Sequence, residues 1–166
     1  MLRYAIGSSS LGRFCIAVGE HGIRGIRLGG EDPELVARIQ ADFPAEHIAP
    51  DPAGLAEIVT RVQQQIEAPG TPHDLPVDAR GTPFQQRVWR VLCEIPAGQV
   101  ISYGELARRV GQPRGARAAA QACGANPVSI LVPCHRVVRS GGAIGGYGGG
   151  IARKRTLLAR EGVHIK

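Results

Sequence analysis

Ser102-Tyr103-Gly104-Glu105-Leu106-Ala107-Arg108-Arg109-Val110-Gly111-Gln112-Pro113-Arg114-Gly115-Ala116-Arg117-Ala118-Ala119-Ala120-Gln121-Ala122-Cys123-Gly124-Ala125 carries the most informative helix signals of this 166-residue chain. Ser102 with Glu105 three residues on forms a capping box, and the helix it opens runs through Leu106 to Val110. Gly111-Gln112-Pro113 breaks it, and an Ala-rich helix follows between Arg114 and Ala125. Two short helices around a Gly-containing turn predict a helix-turn-helix. A reader of base sequence presents Arg, Asn and Gln to base edges, whereas Arg117 to Ala125 offers mostly methyl groups and hydrogens. Small side chains let a helix backbone approach another surface closely. That suits a tightly packed core helix, or a helix laid into a narrow groove without reading sequence. Arg108, Arg109, Arg114 and Arg117 can hold phosphates and add weight to the groove.

Upstream, Thr82-Pro83 supplies an N-cap and first-turn proline. Phe84, Val88, Trp89, Val91, Leu92 and Ile95 follow at helical spacing, which predicts a helix to about Ile95 with Trp89 in the core. Before it, Ala68-Pro69-Gly70-Thr71-Pro72-His73-Asp74-Leu75-Pro76 packs three prolines into nine residues. The charge reverses nearby: residues 1–80 carry 7 Arg against 11 acids, net −4, and residues 81–166 carry 13 Lys and Arg against 3 acids, net +10. Together these set a linker at about residues 69–81, between a domain at 1–80 and a basic domain at 81–166, whose charge suits nucleic-acid binding or reflects arginine richness alone. In the first domain, apolar runs at Tyr4–Ile6 and Phe14–Val18 and the alternating Gly22–Leu28 predict three strands. An Asp32 N-cap with Pro33 opens one helix, and Leu55, Ile58, Val59, Val62 and Ile66 mark a second. A small sheet with helices packed on it results.

No stretch approaches the length of a membrane span, and Met1 to Gly7 lacks the apolar segment of a signal peptide, so a cytoplasmic protein is expected. Cys15, Cys93, Cys123 and Cys134 fall at wide, irregular spacings, which predicts reduced thiols and no metal site.

Downstream lies the densest chemistry, Asn126-Pro127-Val128-Ser129-Ile130-Leu131-Val132-Pro133-Cys134-His135-Arg136-Val137-Val138. Only a thiolate attacks, so a cysteine beside imidazole and guanidinium is a candidate nucleophile. Neighbours on a strand point to opposite faces, so contact between Cys134 and His135 would need a turn or a bridging water. Next, Ser140 to Gly150 holds seven glycines in eleven residues and fits neither GxxxxGK[ST] nor GxGxxG, which makes it a pocket wall rather than a phosphate cradle. Ala152 to Arg160 reads as a basic helix, and Glu161, the only acid of the last fifty residues, is a natural orienting partner for a reactive histidine.

Pro133-Cys134-His135-Arg136-Val137, with Asn126-Pro127 upstream, resembles the active-site signature of the O6-alkylguanine-DNA alkyltransferases, the methylated-DNA–protein-cysteine methyltransferases. Gly81-Thr82-Pro83-Phe84-Gln85, Ile95-Pro96-Ala97-Gly98, Ser102-Tyr103, Arg117-Ala118 and Glu161-Gly162 extend the resemblance over nearly the whole chain. The match is strongest from residue 81 onward and is similar to bacterial members such as the C-terminal alkyltransferase part of Ada.

The resemblance implies a small ribonuclease H-like α/β domain followed by a mostly helical domain with a helix-turn-helix. It implies direct, irreversible, single-turnover transfer of the alkyl group from O6-alkylguanine, and also O4-alkylthymine, to Cys134, with no cofactor. In such proteins His135 would take the thiol proton through a water, Glu161 would hold His135, Asn126 would order the surrounding turn, and Tyr103 would donate a proton to guanine. The partner would be double-stranded DNA, bound by a monomer that can cooperate along the duplex. Arg117 would fill the gap left by the flipped base, and Tyr103, Arg114, Ala116, Ala118, Ala119, Gln121 and Ala122 would face the minor groove. Val137, Tyr147, Gly148 and Ser129 would line the base pocket.

Gly148 stands where some members have serine, and Ser129 where some have proline, which leaves preference among larger adducts open. The N-terminal zinc ligands of some members do not map onto Cys15, His21 and His73, so metal is expected to be absent. An Ada-type phosphotriester-accepting, regulatory part is not expected either. Rival readings are a non-catalytic lesion-binding module, which usually has tryptophan in the cysteine's place, a helix-turn-helix regulator with an incidental cysteine, and a cysteine hydrolase.

Overall fold

Period-two runs joined by tight glycine turns build the first sheet from β1 (Leu2–Ser9), β2 (Gly12–Gly19) and β3 (Gly22–Leu28), paired antiparallel in sequence order. Gly22 holds φ +138, and a Cβ there would sit 2.8 Å from the backbone of Pro76, so the position accepts only glycine. A short β4 (Ile48–Pro50) adds parallel to β1, giving the order β3-β2-β1-β4. Sequence patterning misses this strand because three residues ending in proline carry no alternation to read.

Helices α1 (Asp32–Asp42) and α2 (Ala56–Glu67) pack on the sheet, burying Leu35, Ile39, Val62 and Ile66 with Phe14, Ile16 and Ile26 of the strands. The cap of α1 is Glu31 rather than Asp32: Glu31 and Glu34 form the reciprocal capping box and Asp32 is the first helical residue. Asp32 is drawn away by Arg13, whose Nε and Nη2 donate to its two carboxylate oxygens at 2.8 Å each.

The computed structural model describes residues 1–165 and falls into two compact units. The first is Met1–Arg80 together with Pro127–Ser129, three residues fixed to β3 by an Ile26 N–H bond to the Pro127 carbonyl at 2.9 Å. The second is Gly81–Asn126 and the chain from Ile130 onward.

That second unit is built from α3 (Pro83–Glu94), β5 (Ile101–Ser102), α4 (Tyr103–Arg109), α5 (Ala116–Gly124), β6 (Val137–Val138) and α6 (Ile151–Arg160), with β5 and β6 parallel. Thr82 caps α3 with a full capping box to Gln85. At α4 only half of the expected box forms. Ser102 Oγ accepts from the Glu105 N–H at 3.0 Å, but the Glu105 carboxylate binds Arg108 and Arg109 instead of returning to Ser102. Charge wins because a guanidinium is a stronger donor than a backbone amide.

Trp89 lies in the core and ties α3 to α5 through an Nε1 bond to the Ala122 carbonyl at 2.8 Å. Trp89→Phe keeps most of the apolar area and orphans that carbonyl. It is expected to cost about 1–3 kcal/mol in urea unfolding, whereas an unchanged midpoint would show the bond contributes nothing. Among the described residues no helix is long and apolar enough to cross a membrane.

Candidate active site

Asn126 directly follows α5, and its Nδ2 donates to the Val132 carbonyl at 2.8 Å, closing the intervening chain into a loop. Within that loop Ile130 holds φ +77, a left-handed conformation worth about 1–3 kcal/mol of strain for a β-branched residue. Burial of the Ile130 side chain holds it there. From this loop the chain turns at Cys134–Arg136 into a single 3-10 turn, with the Arg136 N–H bonded to the Pro133 carbonyl at 3.1 Å. The strand geometry that would have sent Cys134 and His135 to opposite faces is therefore absent. Pro133 cannot continue a ladder, and the turn takes over.

Cys134 is 8% exposed and His135 is fully buried. His135 Nε2 stands 2.9 Å from Glu161 Oε1, at the end of α6. An ionised carboxylate only accepts, so the imidazole carries its proton on Nε2 and leaves the Nδ1 lone pair available. Nδ1 is buried without a protein partner among the described residues. Arg136 holds the same carboxylate: its Nε lies 2.9 Å from Glu161 Oε2, its Nη2 binds the same oxygen, and its Nη1 donates to the Ile95 carbonyl at the end of α3 at 2.6 Å. Glu161 is thus fixed from two sides.

Lys154 of α6 is fully buried, and its Nζ donates to the Val137 carbonyl at 2.6 Å and the Gly146 carbonyl at 3.2 Å. It also stands 6.0 Å from the Tyr103 ring centre. Gly145 passes so close to this pair, with φ +75, that a Cβ would lie 3.3 Å from the Tyr103 ring and 3.4 Å from Lys154 Nζ. Part of the glycine loop therefore serves close approach to protein atoms as well as any ligand.

These contacts set the protonation states. Hydrogen bonding from Cys123 pulls the Cys134 thiol below its ordinary range, and Asn126 and the Lys154 charge add to this, against burial. Burial pushes Tyr103 up to about 12, helped by the neighbouring Cys123 and Cys134, so its hydroxyl keeps its proton at neutral pH. His135 is lowered, by burial first, with the Glu161 carboxylate opposing. Burial raises Glu161, but hydrogen bonds from His135 and Arg136 outweigh it and leave the carboxyl below its usual value.

Since the fold resists protonation of both His135 and Glu161, the unfolded chain binds more protons. Stability is then complete above about pH 6.5 and declines as pH falls through that value and on toward the carboxylate range. Urea unfolding at pH 7.5 and 5.5 is expected to show a lower midpoint at 5.5, with the gap narrowed in His135→Gln. Equal midpoints would contradict this.

Cys134, His135, Glu161, Asn126 and Tyr103 all lie in the second unit, the first three joined by adjacency and direct bonding. The surface expected to meet DNA divides. Arg114, Arg117, Ala118 and Gln121 are exposed and Ala116 is partly so, but Ala119 (0% exposed) and Ala122 (4%) are buried with Cys123. The three-and-four spacing of 119, 122 and 123 puts them on the packing face of α5, against α3 and α4, so neither alanine belongs to an outward surface.

Of the expected pocket residues, Val137 is buried in β6 with its carbonyl on Lys154. Tyr147 is half-buried, Gly148 is exposed, and Ser129 belongs to the first unit. Sequence reasoning gave no role to Lys154 or Cys123, and took Arg136 only as a guanidinium beside Cys134 rather than as the residue that holds Glu161. The signal for Lys154 was its spacing with Leu157 and Leu158, which places it on the apolar stripe of an otherwise basic helix. Among the described residues no group of three or more His, Cys, Asp or Glu gathers to hold a metal ion.

Residues 83–163 match the family model described as "6-O-methylguanine DNA methyltransferase, DNA binding domain". The methylated-DNA–protein-cysteine methyltransferase of Mycobacterium tuberculosis H37Rv is 48% identical over 115 residues, 69% of this chain and 70% of that one. The chain belongs to the methylated-DNA–protein-cysteine methyltransferase family. Another member, the bifunctional transcriptional activator/DNA repair enzyme Ada of Escherichia coli K12, is 44% identical over 160 residues, 96% of this chain but 45% of Ada, so the chain spans about half the length of that relative. The crystal structure of Mycobacterium tuberculosis OGT in complex with DNA superposes with a TM-score of 0.79 at 38% identity, covering 96% of this methyltransferase-family chain and 92% of the other.

Proposed function

We propose that this protein repairs DNA by moving the alkyl group of O6-alkylguanine onto Cys134 in a single turnover. The observation that carries the reading is the bonded chain from the Glu161 carboxylate to His135 Nε2, which leaves the buried Nδ1 of His135, the residue next in sequence to Cys134, available as a base. His135 Nδ1 takes the thiol proton through a water, and the Cys134 sulfur attacks the alkyl carbon in line with the O6 bond. Sulfur–carbon bond formation and carbon–oxygen cleavage release guanine, and its developing negative charge is met by a proton from the Tyr103 hydroxyl. A thioether is stable to hydrolysis, so the acceptor is consumed.

A duplex base cannot present O6 to a buried sulfur, so the nucleotide is flipped out at a cost of a few kcal/mol. In this reading α4 and α5 act as a helix-turn-helix against the minor groove, with Ala116, Ala118 and Gln121 along the groove, Arg114 on phosphate and Arg117 in the vacated stack. Val137, Tyr147 and Gly148 receive the base, O4-alkylthymine is a second substrate, and the protein works as a monomer that can cooperate along DNA. The first unit, with sheet order β3-β2-β1-β4, is a ribonuclease H-like scaffold, and its boundary near residue 80 separates it from the reactive domain.

The test is transfer of a radiolabelled methyl group from a duplex containing one O6-methylguanine, with Cys134→Ser alongside. Label on the wild type alone, with duplex bound by both proteins, is expected. Binding without label on either would make the protein a lesion-binding module.

A further inference from the structure

Cys123 does not itself react in the chemistry above, yet it is a second buried thiol beside the first. It sits on the packing face of α5, 4% exposed, with its Sγ 3.7 Å from the Cys134 carbonyl oxygen. Each thiol also acts on the titration of the other, the Cys134 pKa being lowered and the Cys123 pKa raised by their interaction. The Cys123 S–H proton therefore sits on a neutral carbonyl oxygen of the residue whose sulfur changes charge during the reaction.

We infer that Cys123 is a positioning residue whose S–H proton rests on the Cys134 carbonyl while Cys134 is a thiol or a thioether, and turns onto the Cys134 sulfur when it becomes a thiolate. A charged sulfur is the better acceptor, so the switch favours the attacking form over both the resting thiol and the alkylated product. Cys123 keeps its own proton throughout, because the adjacent Cys134 side chain, and then burial, push its pKa up. No bond is made or broken at Cys123. Other groups face Cys134 from each neighbouring element: Tyr103 from α4, Lys154 from α6, Asn126 after α5, and His135 in its own turn. Lys154 supplies charge and Asn126 a fixed amide donor, so Cys123 is the thiol donor within the set.

This inference deepens the reading of Cys134 as nucleophile and rests on it. The test uses iodoacetamide, which reports thiolate whether or not DNA is a substrate, with Cys134 modification followed by peptide mass spectrometry between pH 5 and 10. Cys123→Ala removes the donor and is expected to move the midpoint of Cys134 alkylation up by about one pH unit, close to a tenfold slower reaction on the acid limb. Cys123→Ser keeps a proton donor and is expected to hold the midpoint near wild type. An unmoved profile in Cys123→Ala would overturn the inference, and so would an equal shift in both variants, since that would signal packing alone. If the shift appears while O6-methylguanine leaves no label on the wild type, the repair reading fails and the role of Cys123 stands.

Discussion

Glu161→Gln is expected to lower stability by about 3–5 kcal/mol and to slow alkyl transfer by about 10²–10⁴-fold. The stability loss follows from Arg136, which donates to Glu161 from both Nε and Nη2 and is itself 7% exposed. Glutamine is nearly isosteric but neutral, so the substitution leaves a buried guanidinium without its countercharge, on neutral amide and Ile95 carbonyl oxygens alone. The kinetic loss has a separate cause. A carboxylate forces His135 to keep its proton on Nε2, while a glutamine amide can turn its NH2 toward the ring and favour the opposite tautomer, which blocks Nδ1. Urea unfolding and single-turnover transfer read the two effects independently. A variant as stable and as fast as wild type would mean that the His135–Glu161–Arg136 cluster is neither structural nor catalytic.

Lys154→Met is expected to give the second large effect. Methionine fills much of the space but supplies no donor, which orphans the Val137 and Gly146 carbonyls at about 1–3 kcal/mol each, offset in part by relief of the buried charge. Burial lowers the Lys154 pKa, while the Cys123 and Cys134 sulfurs raise it. Removing that charge is expected to raise the Cys134 pKa and slow its alkylation at neutral pH about tenfold for each unit moved. Lys154→Arg is not expected to restore the rate, because a planar guanidinium does not fit where an ammonium reaches two carbonyls. The pH profile of Cys134 modification is the readout, and an unchanged midpoint in Lys154→Met would remove Lys154 from the account.

Much of this was legible in the sequence because local signals and tertiary packing agree. The antiparallel strands at Leu2–Leu28, the proline-opened α3 and the two short helices at α4 and α5 follow from periodicity and caps. The parallel strand β4 was not, since its pairing with β1 is set by the connection after α1 and not by its own three residues. At the site, Cys134, His135 and Glu161 stand out by residue type. The 3-10 turn that brings the first two together depends on Pro133 and the Asn126–Val132 bond, which spans six residues of irregular chain.

Lys154, Cys123 and the grip of Arg136 on Glu161 were hidden for a different reason. Each residue sits in a segment whose composition has an adequate bland explanation: a basic helix, a small-residue helix and a basic motif. Only burial separates them from their neighbours. Burial also corrects α5, where alanine is equally suited to a groove and to a core. Position on the helix then decides which alanines face which way.

The most direct test of the central claim is intact-protein and peptide mass spectrometry after incubation with excess duplex containing one O6-methylguanine. The account predicts a gain of one methyl group, about 14 Da, on the Cys134 peptide, saturating at one equivalent per protein and absent in Cys134→Ser. A protein that binds the duplex but gains no mass, or gains it on Cys123, Cys93 or Cys15, would contradict it.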